Sequence, residues 1–259
     1  MVFILSPDDE RLSEYSLLKS KEENSEYFIA DHEKTAVRLL ESNLEIISVF
    51  CLPKYYEKHK SLIFSKIKDP NFHYVANKDV FEKTIGFRVH QGFMAVGRKR
   101  FQMENLLKPP ILFLNGIVDS ENIGSIFRTA LAFGVQSFVI DSFSASPYLR
   151  RSVRVSMGTV FKSNILKIED AEVYLKNLDL PIYALSLPVG RNDLLLKTKS
   201  IYKFKSANNF LLIVGNENNG VHTNLLDLAD QIIYIPMKNE VDSLNVSHAL
   251  AVALSNFCD

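Results

Sequence analysis

Ile235-Pro236-Met237-Lys238-Asn239-Glu240-Val241-Asp242-Ser243-Leu244-Asn245-Val246-Ser247-His248-Ala249 decides the fold class of this chain. It follows an apolar run over 231–235 with the unbroken hydrophobicity of a strand buried on both faces. Pro236 has no N–H to donate, so the strand's ladder stops there and leaves the backbone around Ile235 and Met237 for other partners. A short polar loop comes next. Ser243 then looks like the N-cap of a helix that buries Leu244, Ala249, Leu250, Ala253, Leu254 and Phe257. Strand, polar loop and helix in that order form the repeating unit of an α/β fold.

Upstream, the same alternation extends back to Ile111. Apolar runs at 111–114, 137–140, 165–168, 182–185 and 210–214 predict further strands of a parallel sheet covered on both faces. After Ser120, the stripe Ile123, Ile126, Phe127, Ala130 and Leu131 predicts an amphipathic helix. Lys108-Pro109-Pro110 denies α geometry to what precedes it, which places a domain boundary there, with units at 1–105 and 106–259. The first unit alternates helices at 34–40, 55–67 and 78–84 with strands at 44–51, 72–75 and 91–96.

Composition narrows the possible functions. The chain has 259 residues, 47% of them hydrophobic, enough for one large or two small cores. No apolar run approaches the roughly 18 residues that span a bilayer, and acidic residues follow the N-terminal Val2-Phe3-Ile4-Leu5 too soon for a secretory signal. Cys51 and Cys258 stand in unrelated contexts, as free thiols in a reducing cytoplasm would. The six histidines show no ligand spacing, so no metal site is expected. Thirty basic residues balance thirty acidic ones. Attraction to a polyanion would therefore have to be local, at Arg98-Lys99-Arg100 or at Arg150-Arg151 with Arg154, and either run would serve equally as a solvated surface.

Two further strings carry chemical groups. In Asp119-Ser120-Glu121-Asn122-Ile123-Gly124-Ser125-Ile126-Phe127-Arg128, Asp119 or Ser120 can cap the helix. Arg128 leans back over Gly124 toward Asn122, because helical side chains tilt N-terminally. An amide and a permanent cation then meet at the carboxyl end of a parallel strand, where open α/β sheets bind ligands. The bland counterpart is a capped helix with a surface arginine. In Val214-Gly215-Asn216-Glu217-Asn218-Asn219-Gly220, Gly215 permits a close backbone approach and Gly220 a tight turn, though a plain strand-to-helix turn would use the same glycines.

Together the three strings resemble the motifs of the SpoU/TrmH family, RNA ribose 2′-O-methyltransferases of the knotted SPOUT class. The resemblance is close over 111–259 and loose before it. It implies a C-terminal SPOUT domain with a trefoil knot over about 209–257, S-adenosylmethionine as cofactor, RNA (tRNA or rRNA) as substrate, and a homodimer. Carried over residue by residue, it implies a cofactor site at Val214, Gly215, Asn216, Ile235, Met237, Ser243 and Leu244. It implies a catalytic set of Arg128, Asn122, Glu217 and Asn245, in which Arg128 orients the ribose hydroxyl or an adjacent phosphate and the others position the site. Ser120 stands where the family usually has proline.

Arg154-Val155-Ser156-Met157-Gly158-Thr159-Val160-Phe161 is similar to the family's segment between motifs one and two, which would flank the substrate groove. Glu33-Lys34-Thr35-Ala36-Val37-Arg38-Leu39-Leu40 and His90-Gln91-Gly92-Phe93-Met94-Ala95 resemble a small L30e-like substrate-binding domain, with His32 in place of the family's glycine. A non-catalytic RNA-binding protein on the same scaffold is the competing expectation. A Rossmann-type nucleotide enzyme is more distant, since no Gly-x-Gly-x-x-Gly follows any strand.

Overall fold

Short strands alternating with amphipathic helices build two separate sheets, each with its own apolar core, in the computed structural model of this chain. The structure describes residues 1–16, 25–187, 192–216, 219–239 and 241–257. Unit 1 comprises Met1–Arg100 and Ser146–Lys162, and unit 2 comprises Phe101–Ala145 and Ser163–Asp259. The second unit is therefore not one contiguous stretch, unlike the expected division at 105/106, because 146–162 contributes to the first.

Unit 1 runs β1 (Val2–Ile4), α1 (Ser13–Ser16), β2 (Tyr27–Ala30), α2 (Glu33–Glu41), β3 (Ile46–Cys51), α3 (Pro53–Lys66), β4 (His73–Ala76), α4 (Lys78–Ile85) and β5 (Phe93–Arg98). Its sheet has the order β1-β4-β3-β5-β2, parallel from β1 to β3 and antiparallel from β3 to β2. Local chemistry sets the helix ends. Pro53 opens α3, where its missing N–H leaves no bond unmade. Asn77 caps α4 by accepting the Val80 N–H at 2.9 Å, and Gly86, at φ 78°, closes it. Phe50 stacks on Phe81 (4.5 Å) across the core.

Both basic clusters lose part of their charge to ion pairs within this unit. Arg98 pairs with Glu26 (2.6 Å) and Glu45 (2.8 Å), and Arg150 pairs with the buried Asp31 (2.6 Å). Burial alone would raise the Asp31 pKa. The hydrogen bond from His32 and the Arg150 charge outweigh it and hold the carboxyl below the usual range. The free Cys51 is buried in β3, and burial pushes its thiol pKa up.

Unit 2 opens with β6 (Ile111–Asn115), α5 (Ser120–Ala132) and β7 (Ser137–Ile140). The chain then supplies α6 (Arg150–Val155) to unit 1, where α6 packs on β2 and the rings of Tyr148 and Phe161 lie tilted against Phe28, with centroids at 4.9 and 5.4 Å. It continues as β8 (Asn164–Lys167), α7 (Ala171–Lys176), β9 (Ile182–Leu185), β10 (Thr198–Ser200), β11 (Leu211–Gly215), α8 (Thr223–Leu228), β12 (Gln231–Tyr234) and α9 (Val246–Phe257). The seven strands pair in the order β10-β12-β9-β11-β6-β7-β8, parallel throughout. The α5 stripe is buried at Ile123, Ile126, Phe127 and Ala130, with Phe127 stacked on Phe138 at 4.0 Å.

One expected boundary moves. Helix α9 begins at Val246, and Ser243 is exposed in the loop rather than capping the helix. Asn245 takes that place, its Oδ1 accepting the Ser247 N–H at 2.9 Å and its carbonyl accepting from His248 and Ala249. No described helix is long and apolar enough to cross a membrane. No group of three or more His, Cys, Asp or Glu among the described residues could hold a metal ion.

Candidate functional site

Parallel strands release their loops at one end of the sheet, and a pocket of unit 2 lies at that carboxyl end. It sits over the adjacent strands β12, β9 and β11 and has a volume of about 400 Å³, within the range of small-molecule sites. Val214, Gly215, Asn216, Ile235, Met237, Ser243 and Leu244, all seven residues expected at the cofactor, line it. Leu185, Ser186 and Leu187, at the end of β9, form a wall that sequence did not single out. The only available signal was that an apolar strand ends there, which is true of every strand in the sheet. No acidic side chain lines the pocket among the described residues.

Each wall has a local cause. Beyond Pro236 the sheet ladder does not continue, so Ile235 and Met237 turn into the pocket rim. Gly215 ends β11, and an added Cβ there would lie 2.2 Å from the Gly220 carbonyl carbon and from the Val221 nitrogen. The backbone that approaches Gly215 so closely is the loop's own return, tied by Gly220 N–H donating to the Asn216 carbonyl (2.8 Å). Gly220 sits at φ 68°, a conformation that disfavours any side chain. Asn216 Nδ2 donates to the Gly116 carbonyl at 2.9 Å, joining this loop to the one after β6. Glu217, expected in the catalytic set, lies outside the described residues.

The expected catalytic residues are brought together in part. Asp119, rather than Ser120, caps α5 by accepting the Glu121 N–H (2.6 Å). Asn245 Nδ2 donates to Asn122 Oδ1 at 2.8 Å, so a single amide pair links the start of α5 to the start of α9, and the two helices pack together. Arg128 lies further along α5, exposed and outside the pocket lining. Replacing Asn245 by alanine removes both the cap and this bridge. Such a loss costs about 0.5–2 kcal/mol, which a thermal melt would read as a lower midpoint.

The model of the SpoU rRNA Methylase family matches residues 109–255. This chain belongs to that family. Unit 2 carries most of the SpoU match, and the segment 146–162 of unit 1 carries the rest. An uncharacterized tRNA/rRNA methyltransferase of Mycobacterium tuberculosis (strain CDC 1551 / Oshkosh) is 28% identical over 96% of this chain and 89% of its own length. The 23S rRNA (guanosine-2′-O-)-methyltransferase RlmB of Escherichia coli K12 is 25% identical over 70% of this SpoU chain and 76% of its own. The AdoMet-bound rRNA methyltransferase structure from Sinorhizobium meliloti superposes with a TM-score of 0.84 at 19% identity. It covers 98% of this chain and 96% of its own, so the likeness of fold extends over both units.

Proposed function

We propose that this SpoU-family protein transfers a methyl group from S-adenosylmethionine to a ribose 2′-hydroxyl of tRNA or rRNA. The observation that carries this reading is the convergence of the loops after β9, β11 and β12 on one pocket lined by Leu185–Leu187, Val214–Asn216, Ile235, Met237, Ser243 and Leu244. The donor set fits the cofactor. Apolar side chains offer an adenine slot, and backbone groups of the loops offer hydrogen bonds to a base edge and ribose. The described part of the wall holds no carboxylate, a group that would stabilise a positive sulfonium that must vanish in the transition state. When bound, S-adenosylmethionine supplies a sulfonium methyl, so that a ribose oxygen can form a carbon–oxygen bond as the carbon–sulfur bond breaks and a neutral thioether leaves.

The chain's own groups orient the reaction. Asn122 and Asn245, fixed on each other, hold the start of α5 against the start of α9, whose Val246 and Ala249 line the pocket. Arg128, exposed on the same helix, is available to a phosphate or to the attacking hydroxyl. It orients and polarises rather than accepting the proton, since a guanidinium carries only N–H donors and no acceptor. The hydroxyl proton goes to water or to a phosphate oxygen.

The remaining parts of the proposal concern assembly. Unit 1 serves as the L30e-like RNA-binding module, supported by its α/β sheet and by the exposed Arg151 and Arg154. A trefoil knot over 209–257 is supported by α9 packing back on β9, β11 and α5. A homodimer is supported by the exposed Val118, Phe143, Val241 and Leu244 on loops leaving the carboxyl ends of β6, β7 and β12.

The test incubates the protein with methyl-labelled S-adenosylmethionine and with tRNA or rRNA from cells lacking it, then digests the RNA to nucleosides. Label in a 2′-O-methylated nucleoside is expected. RNA retained without label would point to the non-catalytic alternative, and label on a base would overturn the ribose assignment.

A further inference from the structure

A carboxylate outside the pocket holds both ends of the pocket's second loop. Asp141 follows β7 and is 3% exposed. Its oxygens accept from Asn115 Nδ2 (2.8 Å), from the Gly116 N–H (3.0 and 3.2 Å), and from Ser144 N–H (2.9 Å) and Oγ (2.8 Å). Asn115 in turn accepts the His222 N–H on its Oδ1 at 2.8 Å, just past the turn that Gly220 closes. Gly116, held by its N–H, presents its carbonyl to Asn216 Nδ2 at 2.9 Å, just before that turn. One buried carboxylate thus ties down the loop at Asn216 and again at His222.

The polarity of this relay is dictated by chemistry. A carboxylate can only accept, and a backbone N–H can only donate, so the Asn115 amide between them has a single allowed orientation. We propose that Asp141 is a positioning residue for the cofactor pocket: it sets the orientation of Asn115 and the place of Gly116, and through them the position of the Asn216–Gly220 turn. This rests on the pocket being the S-adenosylmethionine site, as proposed above. Neither Asp141 nor Asn115 lines the pocket, so both act through the loop they hold.

Asp141→Asn tests the relay because it keeps the shape and turns one acceptor into a donor. Either the new amide nitrogen meets Asn115 Nδ2, or it turns away and meets the Ser144 N–H, so in both orientations a buried donor at this carboxylate loses its acceptor. Two observables are measured on the full chain: hydrogen exchange of the Gly116 and His222 amides, and the calorimetric Kd for S-adenosylmethionine. Asp141→Asn is expected to speed exchange at both amides and to raise Kd by roughly tenfold, the scale of one lost buried hydrogen bond. The double change Asp141→Asn with Asn115→Asp moves the acceptor-only group to position 115. There it accepts both the new amide at 141 and the His222 N–H, so protection and affinity should return to within about threefold of wild type.

A purely structural role would lower the melting temperature without this loop-specific exchange or its recovery in the double variant. Wild-type exchange and Kd in the single variant would overturn the proposal. Should that variant not fold, recovery of fold and binding in the double variant supports the relay, and its failure too overturns it. If exchange responds as expected while the wild-type protein takes up no S-adenosylmethionine, the relay stands and the cofactor assignment falls.

Discussion

Gly215→Ala is expected to abolish S-adenosylmethionine binding in a protein that otherwise keeps its fold. The added Cβ would lie 2.2 Å from two backbone atoms and 2.3 Å from a third, the Gly220 oxygen, well inside any real contact. A clash with a side-chain tip can be relieved by a rotamer change, but here the obstacle is the peptide between Gly220 and Val221. That peptide is held by the Gly220 to Asn216 hydrogen bond and by the Gly220 φ of 68°. The loop must open, which carries Asn216, Gly220 and Val221 away from the pocket they line. Overpacking of this kind costs about 1–3 kcal/mol where neighbours can move, and a fixed backbone places this site at or above the upper end. Affinity should fall by about 100-fold or more, since 1.4 kcal/mol is tenfold. Calorimetry reads the affinity, and circular dichroism checks that the sheet survives. Wild-type affinity would show that the loop carries no part of the site.

Arg128→Ala is expected to do the opposite: to leave binding intact and stop the chemistry. Arg128 is exposed on α5 and does not line the pocket, so Kd for S-adenosylmethionine should stay within about twofold. Removing one preorganised charged donor from a reacting oxygen typically lowers kcat by about 10²–10³. Arg128→Lys should recover little, because an ammonium lacks the planar fork that grips a phosphate or aligns a hydroxyl. Single-turnover methyl transfer to RNA, measured beside the binding titration, separates the two effects. Full turnover in Arg128→Ala would remove this residue from the mechanism.

Much of unit 2 is legible in the sequence because a parallel sheet buries both faces of its strands. The stretches 111–114 and 211–214, which become most of β6 and β11, are unbroken apolar runs. The strand β10 (Thr198–Ser200) escapes this rule. It is polar and three residues long, and as an edge strand it needs only β12 beside it. Strands β1 and β2 are likewise edges of their sheet, too short for periodicity to reveal.

The misplaced start of α9 is a contest between two good caps, Ser243 and Asn245. It is settled by a partner 123 residues away, the Asn122 side chain. Local propensity holds no information about that bond. Segment 146–162 is the same lesson at larger scale, since Arg38 donating to the Met157 carbonyl and Arg150 pairing with Asp31 are invisible until the chain is folded.

The pocket itself was legible wherever a motif ends a strand: Gly215 and Pro236 are residues whose backbone behaviour is known in advance. The Asp141 relay was not, because its members lie 26 and 107 residues apart and each is an ordinary polar residue on its own.

The most direct test of the pocket is a calorimetric titration of the wild-type chain with S-adenosylmethionine. A saturable heat at one cofactor per chain, lost in Gly215→Ala and retained in Arg128→Ala, is the expected result. No heat at any cofactor concentration that the solution tolerates would contradict the assignment of these three loops to a methyl donor.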